Sequence, residues 1–383
     1  MVITEFCTGC RACEQLCPKQ CISMKSNEEG FLVAEMDENV CIGCGLCQKR
    51  CPQNNMPDKY SPIKVLAVRY KKDMELKASA SGGAFVALAH QGLEQNGVVF
   101  GAAYGEDWKV GHIAVHNEED LHKLQGSKYV QCNTLHTYSE VKTLLCEGKK
   151  VLYSGTPCQI GGLRAFLRKD YDNLLTIDLI CHGVPSPELF RKYIEWLGKE
   201  TKGKILYYNF RDKSGGWGLG YKAKTKTKTK TANLDPYYYH FLKGDTYREC
   251  CYRCNYCTKE RTGDMTIGDY WGIEYEHPAF YSTKGVSVML LNTEKSLKWF
   301  GQVENSFYIQ ESTFEQAARQ NHNLLSPTRR PKVRDTVYNH LDDMDVEEYF
   351  NAVLKTPNRF VDRIKGMLPM RLKLILKTIK QKL

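Results

Sequence analysis

The strongest constraint on this chain is a cysteine pattern that occurs twice. Residues 7–18 read CTGCRACEQLCP and residues 41–52 read CIGCGLCQKRCP, each a C-x2-C-x2-C-x3-C-P run. In each run the first three cysteines can wrap one face of a four-iron cubane, while the fourth points away toward the other copy. On this reading Cys7, Cys10, Cys13 and Cys51 hold one cluster, and Cys41, Cys44, Cys47 and Cys17 hold the other. Pro18 and Pro52 donate no backbone hydrogen bond and fix the chain direction after each crossing ligand. A single C-x2-C pair would suit zinc; the duplicated eight-cysteine pattern points to two [4Fe-4S] clusters. Cys21 is surplus to both runs and is expected to be a small buried hydrophobe.

Between the runs, CISMKSNEEGFLVAEMD alternates around Gly30 as a hairpin. This is the two-fold repeat expected of a small bacterial-type ferredoxin module, and it ends at a linker marked by Pro57 and Pro62. The full 383 residues leave room for two or three domains and a sizeable core. An odd total of 17 cysteines argues against a disulfide framework. Met1 to Phe6 lacks the basic start and apolar run of a secretory leader, and no stretch of about 18 apolar residues occurs. The expectation is a reducing, cytoplasmic setting in which the cysteines serve metal or redox chemistry. Formal net charge is +10. Each thiolate-ligated cluster carries roughly −2, so two clusters bring the balance to about +6 and a third to about +4. Charge therefore gives no ground for a nucleic-acid partner.

Downstream of the linker, strand and helix signals alternate, which predicts mixed α/β architecture. IKVLAVRY, VVFGAAYG, GHIAVHN and GVSVMLLNT read as strands. SGGAFVALAHQGLEQNG reads as a helix with Phe85, Leu88, Ala89 and Leu93 on one face and Gly97 as its C-cap. EEDLHKLQG and YSEVKTLLCEG read as helices. KKVLYSGTPCQIGGLRAFL is strand, sharp turn, helix, and LLTIDLICHGVPSPELFRKYIEWLG repeats that grammar with Ser186 as N-cap and Pro187 in the first helical position. In YKAKTKTKTKTAN, alternation puts Lys224, Lys226, Lys228 and Lys230 on one strand face; the run is an exposed hairpin protected by its lysines, or a basic lip over an acidic ligand. The last stretch, PMRLKLILKTIKQKL, has an apolar helical face formed by Leu372, Ile375, Leu376, Ile379 and Leu383. It either docks on protein or lies in a membrane surface.

The ordered series SGGAF, GSKYVQ, GTPCQIGGL, CHGVPS, CYRCNYC and GDMTIGDYWG resembles the coenzyme F-420 hydrogenase/dehydrogenase beta-subunit family. With the N-terminal module, the resemblance covers most of residues 1 to about 320. It implies FAD bound in an α/β domain, a further [4Fe-4S] cluster beside it, and electron passage between iron–sulfur carriers and an organic hydride acceptor. In some members that acceptor is coenzyme F-420. The expected fold is therefore α+β. It has a dicluster ferredoxin-like domain at 1–57, a mixed α/β flavin-binding domain in two parts at 63–145 and 146–330, and a basic helical tail at 331–383. Expected partners are ferredoxin or a redox subunit and a small organic substrate, with peripheral membrane contact through the tail where its apolar face lies in a membrane surface. The rival reading is a non-catalytic electron-transfer subunit.

Within that frame Ser81, Gly82 and Gly83 precede a helix whose free N–H groups suit the flavin pyrophosphate. Lys128 is a candidate for flavin phosphate, or for the reduced ring as a catalytic group, with Tyr129, Thr156 and Asp269 as further cofactor contacts. Cys158 and Cys181 each follow a strand, and neighbouring strands would deliver both thiols to the C-terminal edge of the sheet, where α/β proteins bind ligands. Cys158, Cys181, Cys251 and Cys254 form the expected third ligand set. Cys250 and Cys257 leave other sets open, and zinc is the runner-up there. His182 donates to a cluster sulfur or to substrate, or is structural. Asp264 caps a turn or binds ribose, as Asp269 also does; Tyr270 and Trp271 wall the flavin or fill core. Cys132 and Cys146 are expected to be structural.

Overall fold

The computed structural model describes residues 4, 6–232, 235–356 and 372. The expected C-terminal amphipathic helix lies outside these residues apart from Leu372. The N-terminal module is built on two antiparallel strands, β1 (Ile22–Ser26) and β2 (Leu32–Met36), whose turn contains Gly30 at φ 78°. Asn27 Oδ1 accepts from Phe31 N at 2.8 Å and closes that turn.

The main body is one eight-stranded mixed sheet. Its strands are β3 (Lys64–Tyr70), β4 (Val98–Tyr104), β5 (Val110–Val115), β6 (Val151–Gly155), β7 (Leu174–Leu179), and three later ones. A separate small sheet carries β8 (Tyr207–Asn209), β9 (Tyr221–Lys224) and β10 (Thr229–Ala232). The large sheet is completed by β11 (Met265–Asp269), β12 (Ser287–Leu291) and β13 (Phe307–Ser312), in the order β13-β3-β12-β11-β7-β6-β4-β5. Strands β4, β6, β7 and β11 run parallel in the centre, and antiparallel strands flank them on both sides. β6 and β12 are buried along their whole length, as expected of strands covered on both faces. The Ala84–Glu94 and Glu294–Val303 helices pack on one face, and Thr137–Cys146 with Pro157–Leu167 on the other. The sheet thus runs through both segments expected as parts of the α/β domain.

A third core is rich in tyrosine and phenylalanine. It joins the Pro187–Thr201 helix, the small sheet, the Pro236–Lys243 helix and Phe31 of the N-terminal module. Val337, Tyr338, Leu341, Tyr349, Phe350 and Leu354 are buried in it, so the first part of the segment expected as a tail is core.

Local expectations were met unevenly. Ser186 Oγ accepts from Leu189 N at 3.2 Å as the N-cap. The 119–123 segment is a short 3-10 helix rather than an α-helix. Asn96, not Gly97, takes the left-handed conformation after the Ala84–Glu94 helix (φ 56°). Gly97 is small for another reason: a Cβ there would meet Gly92 O at 2.6 Å and Lys150 O at 2.8 Å. The lysine–threonine run folds back on itself, pairing Lys224 with Thr229. It is a hairpin, not one strand with all four lysines on a single face, because Thr225 Oγ1 accepts from Lys228 N at 3.0 Å and closes the turn.

Candidate functional site

In the N-terminal module the thiols sort into two groups. Cys7, Cys10, Cys13 and Cys51 lie within electrostatic reach of one another; burial, with the neighbouring thiols adding to it, pushes Cys10 up to about 12. Cys17, Cys41, Cys44 and Cys47 line a small apolar cavity together with Cys21. The fourth cysteine of each run has crossed to the other group, as the spacing predicts. Cys21 is buried, but it faces the cavity of the second group instead of merely filling core. Among the described residues no three His, Cys, Asp or Glu side chains converge tightly enough for a single metal ion. A cubane does not need that, since each thiolate takes a different iron. Burial favours the protonated thiol at Cys10 and Cys13, and metal binding is what would ionise them.

The first group is sewn to the main body. Thr134 Oγ1 donates to Cys10 O at 3.1 Å. Gln131 accepts from Leu32 N at 2.8 Å and donates to Leu32 O, which also receives Arg248 at 2.9 Å. Cys250 Sγ lies 3.6 Å from Cys7 O. The second group faces outward instead: Cys44 is exposed, and Ile42 beside it is 59% exposed.

The later cysteines meet at the sheet's C-terminal edge. β6 and β7 are parallel neighbours, so Cys158, in the first turn of the Pro157–Leu167 helix, and Cys181, just beyond β7, emerge side by side. Both feel Cys254, and Cys158 also feels Cys250. Cys251 and Cys257 line the same cavity. All four expected ligands are therefore together, and so are the two alternatives. Arg261, fully buried, holds this cysteine loop in place. It donates to Asp178 at 3.0 Å and to the carbonyls of Tyr256 and Thr258.

These thiols border a cavity of about 310 Å³. Ser81, Gly83, Lys128, Tyr129, Thr156, His182 and Asp269 all line it. Gly82 does not: it is wedged between β3 and β12, where a Cβ would meet Ser287 N at 2.3 Å and Val68 O at 2.4 Å. Its bareness serves the sheet and not a phosphate. Lys128 Nζ donates to Lys123 O at 3.1 Å and Gln125 O at 2.8 Å, and burial draws its amine down to about 7. Thr156 N-caps its helix in a capping box with Gln159, and its Oγ1 is 3.2 Å from Cys158 Sγ. His182 Nδ1 pairs with Asn323 Oδ1 at 2.5 Å. Asp269 accepts two bonds from Arg211, at 2.6 and 2.9 Å, and one from Trp217 Nε1 at 2.7 Å. Trp217 stacks parallel to Trp271 at 5.1 Å, and Trp271 forms part of the cavity wall. Asp264 is structural, accepting from Thr176 N and Oγ1 and from Thr293.

Sequence reasoning missed His112, Arg211 and Trp217. His112 lines the cavity, lies 3.5 Å from Cys132 Sγ through Nδ1, and is driven down to about 4 by burial. Cys132, expected to be structural, lines the cavity too. No motif flags them; only the folding of β5 against the 130–133 segment brings them in. Next to this cavity, and sharing Gln125 to Lys128 with it, lies an open vestibule of about 810 Å³. Lys77, Lys123, Lys128, Lys213 and Lys284 line it against the single carboxylate of Asp212.

Two family models match the chain. One describes the C-terminal part of the coenzyme F420 hydrogenase/dehydrogenase beta subunit and matches residues 148–317. The other, a 4Fe-4S dicluster domain, matches residues 6–55. No curated protein matches. Among solved structures the chain is similar to one described as "Xenon derivatization of the F420-reducing [NiFe] hydrogenase complex from Methanosarcina barkeri", at 16% identity and a TM-score of 0.46, covering 74% of this chain and 93% of that one. The matched ranges hold both cysteine runs, the later cysteines, Thr156, His182 and Asp269, while Ser81, Lys128 and Tyr129 fall outside them.

Proposed function

The chain belongs, over residues 148–317, to the coenzyme F420 hydrogenase/dehydrogenase beta-subunit family and carries a 4Fe-4S dicluster domain at residues 6–55, and from that premise we propose that it is a ferredoxin-linked, FAD-dependent oxidoreductase acting on a small organic hydride acceptor or donor. An iron–sulfur electron-transfer role comes with both families. The finer reading rests on one observation, the 3.6 Å approach of Cys250 Sγ to Cys7 O. It seats the cavity-side cysteine loop directly on the backbone of the inner cysteine group.

In this reading Cys41, Cys44, Cys47 and Cys17 hold the outer cluster and Cys7, Cys10, Cys13 and Cys51 the inner one. Cys158, Cys181, Cys251 and Cys254 hold a third, and Ser81, Gly83, Lys128, Tyr129, Thr156 and Asp269 hold FAD. When bound, the clusters supply one-electron transfer and the flavin supplies hydride chemistry. The chain's own residues do the rest. Arg211 and Trp217 keep Asp269 ionised and fixed in the wall; the buried Arg211 charge holds its carboxyl below the usual range against the effect of burial. Lys128, with its amine near 7, can hold or release a proton at Nζ inside the cavity at neutral pH. His182 is oriented through Nδ1 by Asn323, and Nε2 is its candidate proton-transfer atom toward substrate. A redox partner would dock where Cys44 is exposed. Among the described residues no helix is long and apolar enough to cross a membrane.

The open vestibule beside the cavity favours an enzyme over a non-catalytic electron-transfer subunit, which would need no substrate entrance. Coenzyme F420 is one acceptor to assay among others. The deciding experiment is anaerobic purification with iron, sulfide, zinc and flavin counted per chain. About twelve irons, no zinc and one FAD are expected, from three four-iron clusters. About eight irons would remove the third cluster, appreciable zinc would reassign the later cysteines, and absence of flavin would overturn the hydride reading.

A further inference from the structure

We propose that Cys21 is a positioning residue for the outer cluster: its thiol donates an S–H···S hydrogen bond to Cys17 and so raises that cluster's reduction potential. The inference rests on the cluster assignment above, and it starts from an asymmetry in the internal repeat. Cys21 stands four residues after the crossing ligand Cys17; the equivalent place after Cys51 is Asn55. Asn55 donates its side-chain amide to Lys49 O, at 3.0 Å. Cys21 faces a sulfur instead. Its Sγ lies 3.3 Å from Cys17 Sγ, and it lines the same small cavity as Cys41, Cys44 and Cys47.

The backbone is built to hold it there. Gln20 sits at φ 51°, a state that residues other than glycine seldom take, and its N–H bonds Cys17 O at 3.2 Å. That turn folds the chain back over Cys17. Asp37 N then donates to Cys21 O at 2.8 Å, just before β1 begins at Ile22, which fixes the residue against the second strand. The side chain is 8% exposed, so water does not compete for its proton.

The direction of the bond follows from the chemistry. A cluster ligand is a thiolate and has no proton to give, so Cys21 is the donor and Cys17 the acceptor. A donor aimed at a ligand sulfur stabilises the more negative, reduced cluster more than the oxidised one, which raises the potential. The second run has no thiol at the equivalent place, so this donor acts on the outer cluster and not on the inner one.

The test uses the full-length, anaerobically purified protein with Cys21→Ala and Cys21→Ser, iron counted per chain, and an EPR-monitored redox titration. Iron is expected to stay at the wild-type value in both variants. At the wild-type midpoint of the affected cluster, the ratio of reduced to oxidised form is expected to fall on the order of tenfold in Cys21→Ala, a shift of about 59 mV for one electron. Cys21→Ser, which keeps a donor of similar size, is expected to shift less, and the other clusters not at all. Titrations that superimpose on wild type would overturn the proposal. So would loss of about four irons from Cys21→Ala when Cys17→Ala retains them, because Cys21 would then be a ligand. A wild-type protein without four-iron clusters would instead bring down the cluster assignment itself. Should Cys21→Ala prove unstable, Cys21→Val, which also lacks the donor, decides by the same titration.

Discussion

Asp235 shows how one buried carboxylate makes stability depend on pH. It caps the Pro236–Lys243 helix by accepting from Tyr238 N at 2.8 Å, and it also receives the Tyr193 hydroxyl inside the aromatic core. Burial pushes its carboxyl up to about 6, and the two donors only moderate this. The folded chain therefore holds this proton more tightly than the unfolded chain does. Its stabilising effect is complete below the ordinary carboxylate range and is lost as pH rises through about 6. The gap of about two pH units is worth about 3 kcal/mol. Asp235→Asn keeps the helix cap and has nothing to titrate. Relative to wild type, the variant is expected to gain up to about 3 kcal/mol between pH 4 and 7, then level off. Denaturant unfolding of both proteins at each pH checks this, and acid lability of the clusters cancels in the comparison. Parallel curves would mean that the carboxylate is already neutralised or solvated.

At the scale of elements, the Pro157–Leu167 helix is where most of the site is assembled. It carries Cys158 in its first turn and two glycines in its interior, Gly161 and Gly162. Interior glycine costs a helix up to about 1 kcal/mol relative to alanine, so the pair needs a reason. A Cβ on Gly162 would meet Cys10 Cβ and Tyr138 Oη, each at 2.8 Å, and one on Gly161 would meet Tyr256 Oη at 2.6 Å. The bare helix surface lets the inner cysteine group and the later cysteine loop press against the same two turns. Gly162→Ala is expected to lower unfolding stability by roughly 1–3 kcal/mol through overpacking, where propensity alone would raise it. The sign of the change in an unfolding measurement separates the two. The sequence made the strand–turn–helix unit and its cysteine visible, because Pro157 and the apolar period are local signals. It did not reveal why the glycines are there, because Cys10 and Tyr256 are remote in sequence. For the same reason Gly82 looked like a phosphate seat when its constraint comes from the backbones of β3 and β12. The crossed cysteine pairs were legible because the repeat encodes them; Arg211, Trp217 and His112 were not, since only tertiary folding brings them to the cavity wall.

At the scale of the whole molecule, the cysteine groups form an ordered sequence from surface to interior. Cys44 meets solvent, the inner group abuts the main body through Cys10 and Cys7, and the later cysteines border the cavity at the sheet's C-terminal edge. Such an arrangement makes the links separable. Cys181 is the member of the later group fixed most directly by the sheet, standing just beyond β7 within electrostatic reach of Cys254. Cys181→Ala leaves the contacts of the N-terminal module untouched. Iron is expected to fall by about four per chain. The two N-terminal clusters should still be reduced by dithionite with their wild-type EPR signals, while reduction of flavin by a one-electron donor should slow by about 10–100-fold, the scale of losing a ligand's support. Retention of all the iron would move the third site to the Cys250–Cys257 loop alone. Loss of all three clusters would mean that the module and the body fold as one cooperative unit, which the Arg334–Glu29 and Gln131–Leu32 contacts across their junction make the serious rival outcome.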